Sequence, residues 1–427
     1  MNSTPTGAGK GAGKGAGKVA PLSRLRQMEV DEFVRRLKLE DQNQEKRFAF
    51  FLGAGCSVSS GIPAAATLVK DHWLPRLRDI RAPKELDHED WAKHSIGYEK
   101  EDPANSYGRL IDELFVTPDD RQREIESLCD GRSPAFGYAV LAQLVARSNA
   151  RFNVVLTTNF DDLVADALYL FTDSRPLVIQ HESLAAFIRP TRTRPLVVKL
   201  HGDHRLAPHN TVLETEALEV EIARHTAMVL NDRGLIFMGY GGNDRGIQRL
   251  LAELPHDALP FGAYWVHPQE PGGAVRNWLL DRNGVWVKSG WFDEVMLLAR
   301  NTFDLPHPGG NRFTRIFADY QDAFQRLSVT IEVRPAADAG TAALKEAVQA
   351  TERSFPDFWQ AVSEALRLEK TDRDGAGRVY LAGNHTVPKC SSASRQLRAL
   401  PRADAGPPRR GRGVLQARNR GRSQICQ

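Results

Sequence analysis

Cysteine is scarce in this chain of 427 residues, with four in all at positions 56, 129, 390 and 426, and no two of them form a Cys-x-x-Cys pair. That spacing argues against a structural zinc site and against a disulfide framework. Long apolar runs are missing too. None reaches eighteen residues, so no membrane span is expected. The N-terminus, MNSTPTGAGKGAGKGAGKVAPL, lacks the apolar segment of a signal peptide, and a cytoplasmic protein is the expectation. A basic excess is only apparent. The formal net charge is +4, but residues 1–27 hold five Lys or Arg and no acid, and residues 385–427 hold ten and one. Removing these from the totals of 57 basic and 53 acidic residues leaves 42 and 52, or −10, between residues 28 and 384. A nucleic-acid-binding body is not favoured by that balance, and the basic ends read as solvated tails.

What is present is a globular composition, 41% apolar, with room for two domains or one large domain with extensions. Residues 1–28 read as a disordered basic arm. The thrice-repeated GAGK resembles pieces of a phosphate-binding loop, but no G-x-x-x-x-G-K-[ST] runs through it and no strand precedes it. Residues 29–46 carry Val30, Phe33, Val34 and Leu37 at helical spacing. The run FAFFL at 48–52 is short, wholly apolar and stopped by glycine, the pattern of a buried parallel strand. A helical segment is expected to start near Ala65, and residues 70–150 are charged and helical in pattern, an inserted helical subdomain. Further buried-strand candidates are NVVLTTN (153–159), PLVVKLHG (195–202), GLIFMGYG (234–241), FGAYWVHP (261–268) and GVWVKS (284–289). Strands alternating with helices predict an α/β fold, a parallel sheet with helices on both faces. Residues 29–310 would form this domain. Residues 311–370 read as a helical segment that begins a second module. Residues 371–427, rich in Arg, Gly, Pro and Ser, are expected to be disordered and read like an out-of-frame tail.

The polar endings of the strands carry the chemistry. GAGCSVSSGIP follows FAFFL, and glycine at Gly53 and Gly55 permits a sharp turn and close approach of backbone N–H groups to a phosphate. Ser57, Ser59 and Ser60 offer hydroxyls. The dinucleotide fingerprint would need glycine at 58, where this chain has Val58, so the turn alone reads equally well as structural. TTNFDD (157–162) sets Asn159 and Asp161 on one face just past a strand. KLHGD (199–203) ends another strand with His201, and GYGGND (239–244) makes a second glycine-rich turn. In a parallel sheet all these endings lie beyond the carboxyl ends of the strands, where ligands bind. Trp265, Trp286 and Trp291 read as packing aromatics, Cys56 as a small buried residue, and His204 and His209 as polar-loop residues rather than metal ligands.

The order G-A-G-x-S-x-x-x-G-I-P, T-T-N-F-D, L-H-G, G-Y-G-x-x-D resembles the sirtuin family, and is most similar to the bacterial sirtuin-like branch found in antiphage defence proteins. The similarity covers roughly residues 45–300. It implies a Rossmann-like fold with NAD as ligand and no metal. By resemblance, the GAGCS turn with Gly53, Ala54, Gly55 and Ser57 would hold the pyrophosphate, and Pro63 and Thr158 would also bind the cofactor. Asn159 and Asp161 would face the nicotinamide and its ribose, and His201 matches the catalytic histidine. Gly239, Gly241 and Asp244 would lie near the adenosine half. Sirtuin deacylases carry Asp-Phe-Arg after Gly-Ile-Pro and a four-cysteine zinc module. This chain has Ala64, Ala65 and Ala66 there and no such cysteines. Both departures fit members that cleave NAD and release nicotinamide, as effectors of abortive infection, acting as homo-oligomers or with a partner protein. A binding module for NAD or ADP-ribose without turnover, and a protein deacylase or ADP-ribosyltransferase, are the competing readings.

Overall fold

The computed structural model describes residues 24–43, 45–81, 88–147, 149–189, 194–203, 220–307, 312–335 and 339–354. The basic arm to residue 23, the tail from 355, and His204 and His209 lie outside the described residues. The chain divides into two compact units after Arg312.

The first unit is built on an eight-stranded, wholly parallel sheet in the order β1-β8-β7-β6-β2-β3-β5-β4. The strands are β1 (Arg26–Glu29), β2 (Phe48–Leu52), β3 (Val154–Thr157), β4 (Leu177–Ile179), β5 (Leu196–Lys199), β6 (Gly234–Met238), β7 (Ala263–His267) and β8 (Val285–Lys288). The fold is α/β and Rossmann-like. Six strands match the apolar runs of the sequence. Two do not, and both lie at the edges. β1, RQME, is polar and largely exposed, and begins three residues before the expected boundary at residue 29. β4 is three residues long. Short or polar strands suit edge positions, where apolar patterning has nothing to report.

Strand β2 shows why helices cover both faces. Phe48, Phe50 and Leu52 point one way, into a core shared with α1 (Val30–Gln42), α7 (Phe136–Val145), α8 (Leu163–Phe171) and α12 (Phe292–Thr302). Ala49 and Phe51 point the other way, into a core shared with α9 (Val220–Leu230), α10 (Arg245–Glu253) and α11 (Gly273–Asp281). All five residues of β2 are buried. Helix α1 forms as its spacing predicts, with Phe33, Val34 and Leu37 buried and Arg35–Asp31 and Arg36–Glu32 paired at i,i+4 on its outer side.

The inserted helical subdomain has its own core. It comprises α2 (Ala65–Thr67), continuing as a π-helical stretch Leu68–Trp73 into α3 (Leu74–Arg81), then α4 (His88–Ile96), α5 (Tyr107–Leu114) and α6 (Pro118–Cys129). Trp73, Leu74, Leu77, Leu110, Ile111 and Ile125 meet in this core, apart from the two cores of the sheet. The indole of Trp73 donates to Glu124 at 2.9 Å. Thr117 caps α6, accepting from the amide of Asp120, with proline opening the helix. The insertion therefore ends by residue 129, because α7 packs on the sheet and not on the insertion.

In the second unit the described residues form α13 (Arg312–Glu332) and α14 (Ala339–Ser354), Lys345 donates to the last carbonyl of α13 at 3.0 Å, and residues 355–370 of the expected segment lie outside the described residues. No helix among the described residues is long and apolar enough to cross a membrane.

Candidate active site

The strand order reverses at β2. The chain runs outward from β2 through β3 to β4 and β5, then returns to β6 on the other side of β2. Ligands of open parallel sheets bind at such a reversal, outside the carboxyl ends of the strands. The four polar endings belong to β6, β2, β3 and β5, four adjacent strands.

The two glycine-rich turns pack against each other. The Gly53 amide donates to the Met238 carbonyl at 3.0 Å, and the Gly55 amide to the Gly239 carbonyl at 2.8 Å. A Cβ at Gly53 would meet Tyr240 Cα at 2.5 Å, and one at Gly239, where φ is +61°, would meet the Cys56 nitrogen at 2.5 Å. The Cys56 and Ser57 amides close the turn on Gly53 and Ala54. Glycine is required here so that two backbones can touch. Four amides of the GAGCS turn are used inside the protein, and Ala54 and Gly55 form its half-buried part. Gly241 is exposed with nothing within 4 Å of a Cβ, whereas Gly242, at φ +84°, would strike Val275. The steric demand in this turn falls on Gly239 and Gly242. Pro63 lies half-buried beyond the turn. Cys56 is buried, its thiol aimed at the Met238 carbonyl at 3.3 Å and pushed well up by that burial, unlike an activated nucleophile.

Ser57 centres a buried network. Its hydroxyl donates to Asp161 Oδ2 at 2.7 Å and lies 2.9 Å from the Tyr138 hydroxyl. A serine has one hydrogen to give, so Tyr138 donates to Ser57. Asn159 Nδ2 also donates to Ser57 Oγ, at 3.0 Å, and to the Gly53 carbonyl at 3.1 Å. A carbonyl only accepts, which settles which end of the amide is NH₂. Asp161 Oδ1 accepts from the Leu163 amide at 3.1 Å. Asp161 Oδ2 thus holds Ser57, which in turn holds Asn159, while Oδ1 ties the start of α8 through Leu163. Burial pushes the Asp161 carboxyl above its ordinary range, opposed by the bonds from Ser57 and Leu163. The Tyr138 hydroxyl is pushed well up, first by burial, and stays a donor. Thr158, half-buried, ties the end of β3 to β2 through its amide and the Leu52 carbonyl at 3.2 Å.

Asn159 and His201 follow neighbouring strands. β3 and β5 end with Thr157 opposite Lys199, and each functional side chain lies two residues further on. Asn159 is 7% exposed and His201 5%. Asn159 Oδ1 and His201 Nδ1 are buried with no hydrogen-bond partner among the described residues. Leaving such atoms unpaired costs about 1–3 kcal/mol each. Two neighbouring strand ends with such atoms make this the candidate place for a ligand to complete the bonding. The other ring nitrogen of His201, Nε2, meets Asp244 Oδ2. Asp244 was expected near the adenosine half, and the structure puts it with the histidine.

Lys199 is a residue that motif reading passed over. It is 1% exposed on β5, and its ammonium donates to the Phe160 carbonyl at 2.8 Å, Asp162 Oδ1 at 2.7 Å and Asp203 Oδ2 at 2.5 Å. The three donors of an ammonium find three acceptors, clamping the loop after β3 to the loop after β5. The signal was present: a lysine inside the apolar run PLVVKLHG has to find carboxylates when that run is buried.

On the other side of β2, Gly239, Met238, His267, Pro268, Gly290 and Trp291 line a shallow pocket at the ends of β6, β7 and β8. Trp291 is 64% exposed, not the packing aromatic expected, while Trp265 is buried. Burial pushes the His267 imidazole down, which favours its neutral form. Asn243 donates to the Asp102 carboxylate at 2.9 Å, joining the β6 turn to the helical insertion.

Residues 153–287 match the family model of the SIR2-like domain. This span is similar to the SIR2-like domain. The matched span runs from the residue before β3 to within β8, and includes Asn159, Asp161, His201 and Asp244. It leaves the GAGCS turn outside. SIR2-like domains bind NAD, and the match supports an NAD-related enzymatic function. No curated protein matches the chain. No group of three or more His, Cys, Asp or Glu among the described residues is arranged to hold a metal ion.

Proposed function

We propose that the SIR2-like domain is an NAD glycohydrolase, converting NAD and water to ADP-ribose, nicotinamide and a proton. The observation that carries this reading is the pair of buried polar atoms without a partner among the described residues, Asn159 Oδ1 and His201 Nδ1, on neighbouring strand ends at the reversal of the sheet. NAD would lie across that reversal. Its nicotinamide riboside end would reach Asn159 and His201, its pyrophosphate would pass the half-buried Ala54–Gly55 stretch, and its adenosine half would run toward the pocket beyond β6, β7 and β8.

The chemistry follows from the bond. As the ribose C1′–nicotinamide nitrogen bond breaks, its electron pair goes to the pyridinium, which leaves as neutral nicotinamide, and positive charge builds on the ribose as in glycoside hydrolysis. Water adds to C1′ and gives up a proton. Asn159 is held by Gly53 and Ser57 through its NH₂, so its free carbonyl oxygen is the group available to orient a ribose hydroxyl or the water. His201 is the base. A neutral imidazole accepts a proton on its unprotonated ring nitrogen and is the side chain most often used for this task. Asp161 braces Asn159 through Ser57, and with one bond on each oxygen its carboxylate keeps acceptor capacity for the carboxamide. Ala64, Ala65 and Ala66 and the lack of a zinc module weigh against a deacylase. The setting assigned to this activity, NAD depletion by a cytoplasmic antiphage effector acting as a homo-oligomer or with a partner, rests on the resemblance of the motifs alone. The test is product analysis of purified full-length chain with NAD and no acylated peptide. Equal amounts of nicotinamide and ADP-ribose are expected. Nicotinamide that appears only when an acylated peptide is added would make the protein a deacylase instead.

A further inference from the structure

The geometry points to Asp244 as the positioning residue of His201: its carboxylate holds the imidazole as the Nε2–H tautomer and leaves Nδ1 as the atom that takes the proton. This deepens the proposed NAD cleavage and, for its catalytic consequence, rests on it.

The pairing comes from a distance along the sheet. His201 follows β5, and Asp244 follows β6, and β2 and β3 stand between them. At the usual strand spacing β5 and β6 are about 14 Å apart, so the β6 turn crosses the carboxyl ends of two strands to bring Asp244 Oδ2 to His201 Nε2. Three features of the turn make that reach definite. Gly242 adopts a φ of +84° where a Cβ would strike Val275. Asn243 is tied to Asp102 of the helical insertion. Asp244 itself caps α10, accepting the Ile247 amide on Oδ1 at 3.0 Å, and a carboxylate at a helix N-terminus is favoured by the helix dipole. One oxygen is committed to the cap and the other faces the histidine.

The tautomer follows from donor and acceptor rules. An ionised carboxylate only accepts, so the bond requires hydrogen on Nε2, and in a neutral imidazole the other nitrogen is then the acceptor. That nitrogen, Nδ1, is the buried atom with no partner among the described residues. In the cleavage step, water adding to C1′ gives its proton to Nδ1 while the bond pair leaves with nicotinamide, and Asp244 stabilises the imidazolium that results. The sequence motif GYGGND thus divides its work: its glycines form the turn, and its last residue serves the histidine.

The experiment uses the full-length chain with ¹⁵N-labelled histidine, and reads the tautomer of His201 from long-range ¹⁵N–¹H correlations. The His201 signal is assigned by its loss in His201→Ala. Wild type is expected to be Nε2–H. In Asp244→Asn, which retains a side chain suited to the cap but can donate to the ring, the proton is expected to move to Nδ1. NAD cleavage should then fall about 10³–10⁴-fold in kcat, by analogy with loss of the aspartate in a Ser-His-Asp triad, with KM within about twofold. Asp244→Ser keeps a capping hydroxyl, and should leave the tautomer mixed and the rate low. An Nδ1–H tautomer in the wild type overturns the inference. So does full turnover in Asp244→Asn with the tautomer moved. If the wild type is Nε2–H and cleaves no NAD, the positioning by Asp244 stands and the proposed reaction fails, so the two readings are separated.

Discussion

Replacing Gly53 by alanine adds one methyl group where two chain turns touch. The new Cβ would lie 2.5 Å from Tyr240 Cα and 2.6 Å from the Gly239 carbonyl oxygen, both backbone atoms that cannot swing aside. Ordinary contact begins near 3.4 Å, so the β2 and β6 turns must part by about 0.9 Å, a shift of the size that overpacking forces on a close-packed interior. The Gly53–Met238 and Gly55–Gly239 hydrogen bonds, now 3.0 and 2.8 Å, would then be lost. Two buried hydrogen bonds at about 1 kcal/mol each, with about 1–3 kcal/mol for overpacking, give a loss of about 3–5 kcal/mol. Gly241→Ala is the control, since its Cβ meets nothing within 4 Å, and it should change stability by less than about 0.5 kcal/mol. Urea unfolding of the three proteins, followed by tryptophan fluorescence, measures both. A Gly53→Ala protein as stable as the wild type would refute the reasoning that this glycine is there for backbone packing.

Three further outcomes follow from the buried groups. Lys199→Met removes the cation from Asp162 and Asp203, and breaking a buried pair in this way should cost about 3–5 kcal/mol; adding Asp203→Asn should recover part of it in a double-mutant cycle, and strict additivity would show that the pair is not coupled. Burial raises the Asp161 carboxyl above its ordinary 3.8, so the folded state holds this proton more tightly than the unfolded chain, and wild-type stability is eroded as pH rises from 3.8 through the folded value. Asp161→Asn keeps an acceptor for Ser57 and removes that loss, so its stability relative to the wild type should climb across the same window, and a flat difference in urea midpoints would count against it. Gly239→Ala, which forces a side chain into a left-handed backbone 2.5 Å from the Cys56 nitrogen, should resemble Gly53→Ala in unfolding midpoint rather than Gly241→Ala.

Much of this architecture was legible because a buried parallel strand writes a plain signature. FAFFL, NVVLTT and GLIFMG are apolar runs cut off by glycine or polar residues, and they became β2, β3 and β6. RQME and the three residues of β4 carry no such signature, since an edge strand is paired on one side only and needs no apolar alternation. The limit of the helical insertion was harder to read. FGYAVLAQLV is as helical as the segments before it, and only the contacts of α7 show that it covers the sheet. At the site, the residue types at the strand ends were visible, but their division of labour was not. Spacing along the chain placed Asn159 and Asp161 on one face, yet it took the Ser57 and Leu163 bonds to show that Asp161 braces from within. The partner of His201 lies 43 residues away, across two intervening strands, a relation that local pattern does not contain. Lys199 was written in the sequence as a charge within an apolar strand.

The central claim is that Asn159 and His201 act together on the nicotinamide–ribose bond of NAD. The most direct measurement is the rate of nicotinamide release from NAD by the full-length wild type, Asn159→Ala and His201→Ala, with NAD affinity determined on the same samples. The account predicts turnover in the wild type and a loss of about 10²–10⁴-fold in His201→Ala, a comparable loss in Asn159→Ala, and affinity retained in both. Wild-type protein that binds NAD and releases no nicotinamide, or a His201→Ala protein that cleaves it at the wild-type rate, would contradict it.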